Sequence, residues 1–188
     1  MKVRTAVLQD APVLGRVMVE AWLSAHRGQM PESAWRKRVD EWTPDVSARA
    51  WARLLAEPAG GDDARIVLLV AEEDSGDPLA LVLGTEVADD ESGVTAQINA
   101  LYVLPDRQGQ GIGRRLLQEA AWGLHLLGFS RLHVGVLSAN LAARAFYEAM
   151  GGFEIGQRTF DEEGHPLPET VYGWPNLTAL MGDRSKQV

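Results

Sequence analysis

The stretch that decides the interpretation of this chain is Gln108-Gly109-Gln110-Gly111-Ile112-Gly113-Arg114-Arg115, between a predicted strand and a predicted helix. Its glycines can turn backbone N–H groups toward a ligand without a Cβ in the way. The N-terminus of the following helix adds unpaired N–H groups and the positive end of the helix dipole. The segment therefore predicts a phosphate-binding loop. The alternative is a glycine-rich turn that merely starts a helix.

Two common phosphate motifs do not fit this loop. A dinucleotide fingerprint GxGxxG that begins at Gly109 would need a glycine where Arg114 stands. Leu132–Leu137 carries no acid where that fingerprint expects one, about 20 residues further along the chain. A Walker loop needs GxxxxGK followed by Ser or Thr, and the sequence contains no such run. The loop is therefore of another type.

The hydrophobic pattern on both sides of the loop predicts an α/β protein with a mixed, mostly antiparallel central sheet of about six to seven strands flanked by helices. The predicted strands are Val3–Val7, Arg65–Glu72, Leu79–Val87, Val94–Leu104, Arg131–Leu137, Phe153–Thr159 and Glu169–Trp174. The predicted helices are Leu14–Ala25, Glu32–Trp42, Val46–Glu57, the segment from the loop to Leu127, and Ser138–Met150. A long turn is expected at Asp161–Pro168. We expect one domain over residues 1–175 and a loose tail over residues 176–188.

Composition and charge narrow the function classes. The chain has 188 residues, with 18 Lys and Arg against 26 Asp and Glu, for a net charge of −8. An acidic chain disfavours nucleic acid as a partner and suits small cationic substrates. The absence of cysteine excludes thiol nucleophiles, disulfides and cysteine zinc sites. We expect a cytoplasmic protein with no metal and no membrane segment. The sequence does not distinguish a monomer from a homodimer.

Two motifs resemble one known family. Leu101-Tyr102-Val103-Leu104-Pro105 followed by Gln108-x-x-Gly111-x-Gly113 resembles the acetyl-CoA-binding motif of the GNAT superfamily of N-acetyltransferases. The segment from Asn140 to Phe153 resembles the second family motif, which normally ends in a Tyr-x-x-x-Gly-Phe pattern, and here Gly151 and Gly152 precede Phe153. The resemblance implies an enzyme that moves an acetyl group from acetyl-CoA to the primary amine of a small molecule.

The resemblance also implies roles for individual residues. The strand before the loop splays from its neighbour, and backbone groups of Leu101 and Val103 hold the acetyl and pantetheine portion. The amides of Gln108–Arg114 hold the pyrophosphate. The side chain of Asn140 helps to bind CoA, although an Asn near a helix start also caps backbone donors. Tyr147 matches the general acid that protonates the leaving thiolate, with a buried core tyrosine as the alternative.

The general base is an open question in the sequence. Many family members use a carboxylate on the strand that leads into the loop, but Gln97 stands in the matching place. Asn99 lies two residues further on and faces the same side. Glu86, at the end of the preceding strand, is the leading replacement, and together with Tyr147 it forms the expected catalytic pair. Glu20, His26 or a chain of water molecules are the alternatives.

The first helices are expected to form part of the wall around the amine. Trp22 and His26 are four residues apart on one helical face, and Trp35 and Trp42 follow. A cleft of aromatic rings that binds a cation is one interpretation, and plain packing of helices on the sheet is the other. Together with Trp22 and His26, we expect Gln97 and Asn99 to contact the acceptor.

Three other functions compete with transfer to a small amine. The first is acetylation of a protein N-terminus or lysine, which would need an open groove for a peptide. The second is a catalytically silent acyl-CoA-binding domain, an idea to which Gln97 gives some weight and Tyr147 gives none. A toxin that acetylates charged tRNA is disfavoured by the net charge of −8.

Overall fold

The computed structural model describes residues 1–56, 65–73, 76–87 and 92–181. Within these ranges seven strands form one sheet in the order β1-β2-β3-β4-β5-β7-β6. The strands are β1 Lys2–Thr5, β2 Val67–Glu72, β3 Pro78–Glu86, β4 Thr95–Val103, β5 Arg131–Leu137, β6 Phe153–Glu162 and β7 His165–Trp174. The α-helices are α1 Ala11–His26, α2 Glu32–Glu41, α3 Pro44–Ala56, α4 Ile112–Leu126 and α5 Leu141–Ala149.

The sheet is mixed, as the sequence predicts. Its neighbouring strands run antiparallel except β4 and β5, which are parallel. The amphipathic helices cover the sheet with their apolar residues, because burying this surface provides most of the driving force for folding. Leu14 and Val17 of α1 and Leu116, Leu117 and Leu124 of α4 are fully buried in the common core.

The parallel strands β4 and β5 separate partway along their length. Their pairing begins at Thr95 with Arg131 and ends at Ile98 with Val134, although both strands continue beyond these residues. A β-bulge shifts the register between β3 and β4 at Leu83 and Gly84, at the same level of the sheet. Bulges re-aim side chains and are frequent beside active sites. The result is a gap in the middle of the sheet, which confirms the expected splay.

The hairpin of β6 and β7 is longer than the sequence analysis predicts. The turn expected at Asp161–Pro168 shrinks to Glu163 and Gly164, whose φ angles are 54° and 80°. Two positive φ angles are the requirement of a tight hairpin turn. Pro166 and Pro168 lie where β7 pairs with β6 alone, because β5 pairs with β7 only from Glu169 onward. Proline is tolerated at such edge positions.

The expectation of a loose tail is wrong for residues 176–181. A short 3-10 helix spans Leu177–Leu180, and the side chains of Leu177 and Leu180 are buried in the core. The backbone N–H of Leu177 donates to the carbonyl of Ser130 at 2.7 Å. Apolar residues at both ends of this turn explain the packing. Residues 182–188 of the predicted tail, and Glu57 at the end of the predicted helix Val46–Glu57, lie outside the described residues.

Candidate active site

The glycine-rich loop adopts a backbone that only glycine adopts readily. Gly109 and Gly111 have φ angles of 74° and 80°, and Gly111 immediately precedes α4. A Cβ on either residue would meet no atom within 4 Å. These glycines are therefore needed for their positive φ. The side chain of Gln108 donates to the carbonyl of Val103 at 3.0 Å, and this bond ties the loop to the end of β4.

A cavity of about 430 Å³, which we name the loop cavity, lies against this loop and the first turn of α4. Arg107 and Arg114 line it and supply positive charge beside the helix N-terminus. Of the predicted cofactor residues, it is lined by Leu101, Val103, Gln108, Gly109, Gly111, Ile112, Gly113, Arg114 and Asn140. Gln110 is not among the lining residues, and its side chain lies 3.4 Å from the carbonyl of Asp106.

A second cavity of about 380 Å³, which we name the sheet cavity, lies at the gap between β4 and β5. Its walls come from α1, α2, β4, β5, α5, β6 and β7. The two cavities share four lining residues: Leu101, Asn140, Ala143 and Tyr147. A ligand in one cavity can therefore meet a ligand in the other at the start of α5 and the middle of β4.

Tyr147 is held rigidly at this junction. Its ring packs against Phe146, Tyr172 and Trp174, with centroid distances of 5.0, 6.3 and 6.1 Å, and the residue is 6% exposed. Burial raises the pKa of Tyr147 above its ordinary value, and the nearby Tyr102 raises it further. The hydroxyl therefore keeps its proton at neutral pH.

Asn140 caps α5, one of the two roles considered for it. Its Oδ1 accepts a hydrogen bond from the backbone N–H of Ala143 at 3.1 Å. Since this bond uses the oxygen, the side-chain NH₂ group is the part that can donate to a ligand. The residue lines both cavities, so capping fixes the orientation of a side-chain amide that borders both of them.

The rings of Trp22, Trp35 and Trp42 form a group that we name the aromatic cluster. This cluster already contains a cation of the protein itself. The ring of Trp22 lies 6.2 Å from that of Trp35 and 5.4 Å from that of Trp42, between centroids. The guanidinium carbon of Arg38 lies 5.2 Å from the Trp22 centroid and 5.1 Å from the Trp42 centroid. Arg38 Nε donates to Glu162 Oε1 at 2.6 Å. The rings therefore do not form the vacant cation cleft that the sequence suggested.

His26 lines the sheet cavity together with Trp22. Its Nδ1 lies 2.9 Å from the carbonyl oxygen of Trp22. A carbonyl accepts only, so Nδ1 carries the proton of the neutral ring and Nε2 carries the lone pair. Burial lowers the pKa of His26, so the neutral form predominates at neutral pH.

The structure places Glu86 away from the junction of the two cavities. Its carboxylate accepts from Arg65 Nη1 at 3.0 Å, its side chain is half-exposed, and it lines neither cavity. Gln97 also lines neither cavity, whereas Asn99 lines the sheet cavity and accepts from the Thr85 hydroxyl at 2.8 Å. This placement removes the argument for Glu86 as the base and for Gln97 as an acceptor contact.

Sequence reasoning missed the charged groups that do line the sheet cavity. These are Arg38 on α2, Glu162 on β6 and Glu169 on β7. Glu162 lies within the segment that the sequence analysis predicts to be a turn, so its position on a strand that borders the cavity was not predicted. One signal was available for Glu169. Gly135 stands in the interior of a predicted strand, and an isolated strand glycine suggests a close approach by another group.

Metal ligands and membrane spans were searched over the described ranges. There, no group of three or more His, Cys, Asp or Glu side chains is arranged to hold a metal ion. Over the same ranges, no helix combines the length and the apolar character that crossing a bilayer requires.

Comparison with known proteins agrees with this geometry. The model of the Acetyltransferase (GNAT) family matches residues 25–153. The chain is 27% identical over 183 residues to the uncharacterized N-acetyltransferase YuaI of Bacillus subtilis, covering 95% of each chain. It is 29% identical over 153 residues to the peptidyl-lysine N-acetyltransferase YjaB of Salmonella typhimurium, covering 81% of this chain and 95% of that protein.

A solved structure shows the same fold. The GNAT superfamily phosphinothricin acetyltransferase of Sinorhizobium meliloti, in complex with acetyl-CoA, superimposes with a TM-score of 0.69 at 20% identity, covering 93% of this chain and 88% of that one. The fold, the family match and the loop that precedes α4 lead to one conclusion: the chain belongs to the GNAT family and is an acetyl-CoA-dependent N-acetyltransferase.

Proposed function

We propose that the protein transfers the acetyl group of acetyl-CoA directly to the primary amine of a small molecule, with Tyr147 as the general acid. The observation that carries this proposal is the junction of the loop cavity and the sheet cavity at Leu101, Asn140, Ala143 and Tyr147. A donor in the first cavity and an acceptor in the second would meet beside the Tyr147 hydroxyl.

The loop cavity suits acetyl-CoA. The N–H groups at the start of α4 and the side chains of Arg107 and Arg114 would bind the pyrophosphate. Leu101 and Val103, beside the gap in the sheet, would hold the pantetheine arm through backbone groups. The NH₂ group of Asn140 would add one donor. Acetyl-CoA supplies the activated thioester, and the chain's own residues supply its position and the protons.

Tyr147 fits the role of acid because it lines both cavities where they meet, and its phenol carries a proton at neutral pH. A departing thiolate beside the hydroxyl would take the proton from Tyr147 Oη, and the acetylated nitrogen would give one back. The chain has no cysteine to carry an acyl group, and this absence favours direct attack by the amine.

The sheet cavity favours a small ammonium acceptor. Its volume of about 380 Å³ is within the range of small-molecule sites. Its charged lining residues are two carboxylates, Glu162 and Glu169, and one arginine, Arg38. The wall between α2 and the β6–β7 hairpin is tied by the ion pair of Arg38 with Glu162 and by a 2.6 Å contact of Lys37 with Glu163.

A lysine side chain of a protein is the second candidate acceptor. It is favoured by the 29% identity to YjaB, which is named a peptidyl-lysine N-acetyltransferase. The tied wall opposes it, because a polypeptide would have to reach the junction past the contacts between α2 and the hairpin.

Release of CoA thiol from acetyl-CoA across a panel of acceptors separates these functions. The panel contains spermidine, free amino acids, kanamycin and a lysine-containing peptide. We expect at least one small amine to exceed the peptide in kcat/KM by about tenfold or more, a difference of about 1.4 kcal/mol. A preference for the peptide would support lysine acetylation. If none of the acceptors in the panel causes release of CoA thiol, the result would support a silent acyl-CoA-binding domain.

A further inference from the structure

Glu169 of β7 is a nine-tenths buried carboxylate beside the gap in the sheet. It is 8% exposed and lines the sheet cavity together with Tyr147. In the described part of the chain, the hydrogen bond found for its carboxylate is the one that Oε2 accepts from Arg158 Nε. Oε1 therefore has lone pairs that a ligand in the cavity can use.

Gly135 of β5 makes room for this carboxylate. A Cβ on Gly135 would overlap the carboxyl carbon and both oxygens of Glu169, so any other residue would force the carboxylate away. Gly135 is also the first residue of β5 beyond the last pair with β4, which is Ile98 with Val134. The carboxylate thus lies over the strand where the gap begins. The φ angle of Gly135 is not in the positive range, so the space itself is what the glycine provides.

We infer that Glu169 binds the ammonium group of the acceptor and accepts its first proton, in place of the carboxylate that β4 lacks at Gln97. This inference rests on the proposed function only in requiring an amine acceptor. An alkyl ammonium has a pKa near 10.4, so it reaches the site protonated and must lose a proton before it attacks.

The protons balance over the whole reaction. An N–H bond of the ammonium breaks, an O–H bond forms on Glu169, and that proton later passes to solvent. The nitrogen loses a second proton when its bond to the acetyl carbon forms. This second proton replaces the one that Tyr147 gives to the sulfur. The net change is ammonium and thioester to amide, thiol and one proton.

The other acidic groups near the site suit this role less well. Glu162 is almost completely buried, and its Oε1 takes both Nε and Nη2 of Arg38, which lies on the aromatic cluster. Glu86 lines neither cavity. The partner of Glu169 is Arg158, whose side chain is more than half exposed, so water weakens that pairing.

The pH dependence of Glu169 variants is informative because the neighbouring groups are known. The titratable and charged groups that share the sheet cavity are His26 on α1, Arg38 on α2, Tyr102 on β4, Tyr147 on α5 and Glu162 on β6, with Arg158 of β6 in direct contact. Burial lowers the pKa of His26 and raises the pKa of Tyr102 and Tyr147. If the activity of a Glu169 variant recovers at higher pH, the recovery would therefore indicate that more of the acceptor amine is already deprotonated.

Glu169→Gln tests the inference with the best acceptor of the panel described above. At pH 7 we expect kcat/KM to fall by about 10²-fold, the lower end of general acid–base effects. The loss should shrink as pH rises, because the fraction of free amine grows about tenfold per pH unit below the ammonium pKa. Glu32→Gln is the matched control, because Glu32 is exposed and paired with Arg36 on the surface of α2.

Gly135→Ala provides a second variant that leaves Glu169 in the sequence. We expect it to lower kcat/KM in the wild type and to add little in a Glu169→Ala background, since both changes remove the same carboxylate from the site. Stabilisation by acetyl-CoA confirms that each variant is folded.

If Glu169→Gln does not fold, Glu169→Asp replaces it in the test. We then expect a loss of kcat/KM that becomes smaller as the pH is raised.

Two results would overturn the inference. One is a Glu169→Gln activity within about threefold of wild type, far below general-base effects. The other is a large loss that raised pH does not reduce, which would indicate packing. The choice of acceptor is tested separately. If the wild-type enzyme acetylates only the peptide, the proposed small acceptor is contradicted. The Glu169 variants are then measured with that peptide.

Discussion

Tyr147→Phe is expected to lower the single-turnover rate of acetyl transfer by roughly 10²–10⁴-fold, the usual contribution of a general acid. The substitution keeps the ring and its contacts with Phe146, Tyr172 and Trp174 and removes only the hydroxyl. Acetyl-CoA binding should change little, because the proton is needed in the transition state and hardly in the ground state. Single-turnover rates are the appropriate measurement, since slow product release would mask the loss in kcat.

Tyr172→Phe is the matched control for this prediction. Tyr172 packs against the ring of Tyr147, but its hydroxyl donates to Glu148 at 2.7 Å and accepts from Arg144 at 3.0 Å. The residue lines neither cavity. Its removal should lower the free energy of unfolding by about 1 kcal/mol and leave the transfer rate intact. A Tyr147→Phe rate within about threefold of wild type, too small for loss of a general acid, would make Tyr147 a packing residue.

Gly111→Asp is expected to abolish the stabilisation that acetyl-CoA gives to the folded protein. At about 100 times its Kd, a ligand adds roughly 2.7 kcal/mol of stability, which for a chain of this size raises Tm by roughly 5–10 °C. Gly111 precedes α4 in the left-handed conformation. A carboxylate there would oppose the phosphates at the helix N-terminus. Asp is among the residues that tolerate this conformation best, so the variant should fold.

Gly151→Asp separates the charge effect from backbone strain. Gly151 has a φ angle of 82°, close to the 80° of Gly111, and a Cβ would also meet no atom within 4 Å. Both variants should lose similar intrinsic stability in thermal unfolding. Only Gly111→Asp should lose the acetyl-CoA shift. An undiminished shift in a folded Gly111→Asp protein would contradict the assignment of the loop to the pyrophosphate.

The geometry of the glycine-rich loop and of the start of α5 could be predicted from the sequence because its signals are local. Gly109 and Gly111 need positive φ angles, and the loop lies directly between β4 and α4. Asn140 begins a helix, where a side-chain cap is expected, and the cap is present. Such features depend on neighbours in sequence, so a single sequence reveals them.

The lining of the sheet cavity could not be predicted in the same way because it is assembled from distant segments. Arg38 and Glu162 are 124 residues apart in sequence and meet only in the folded protein. Glu86 was selected for its place at the end of a strand, but its direction and its pairing with Arg65 depend on tertiary structure. The sequence analysis also places Glu162 in a turn, whereas it is the last residue of β6.

The central claim is that the acetyl group passes directly between ligands that occupy both cavities at once. Initial rates measured while acetyl-CoA and the amine are both varied test this most directly. We predict double-reciprocal lines that intersect, because both ligands must be bound before the transfer at Tyr147. Parallel lines, together with an acetylated protein detected by mass spectrometry when the amine is withheld, would contradict the account.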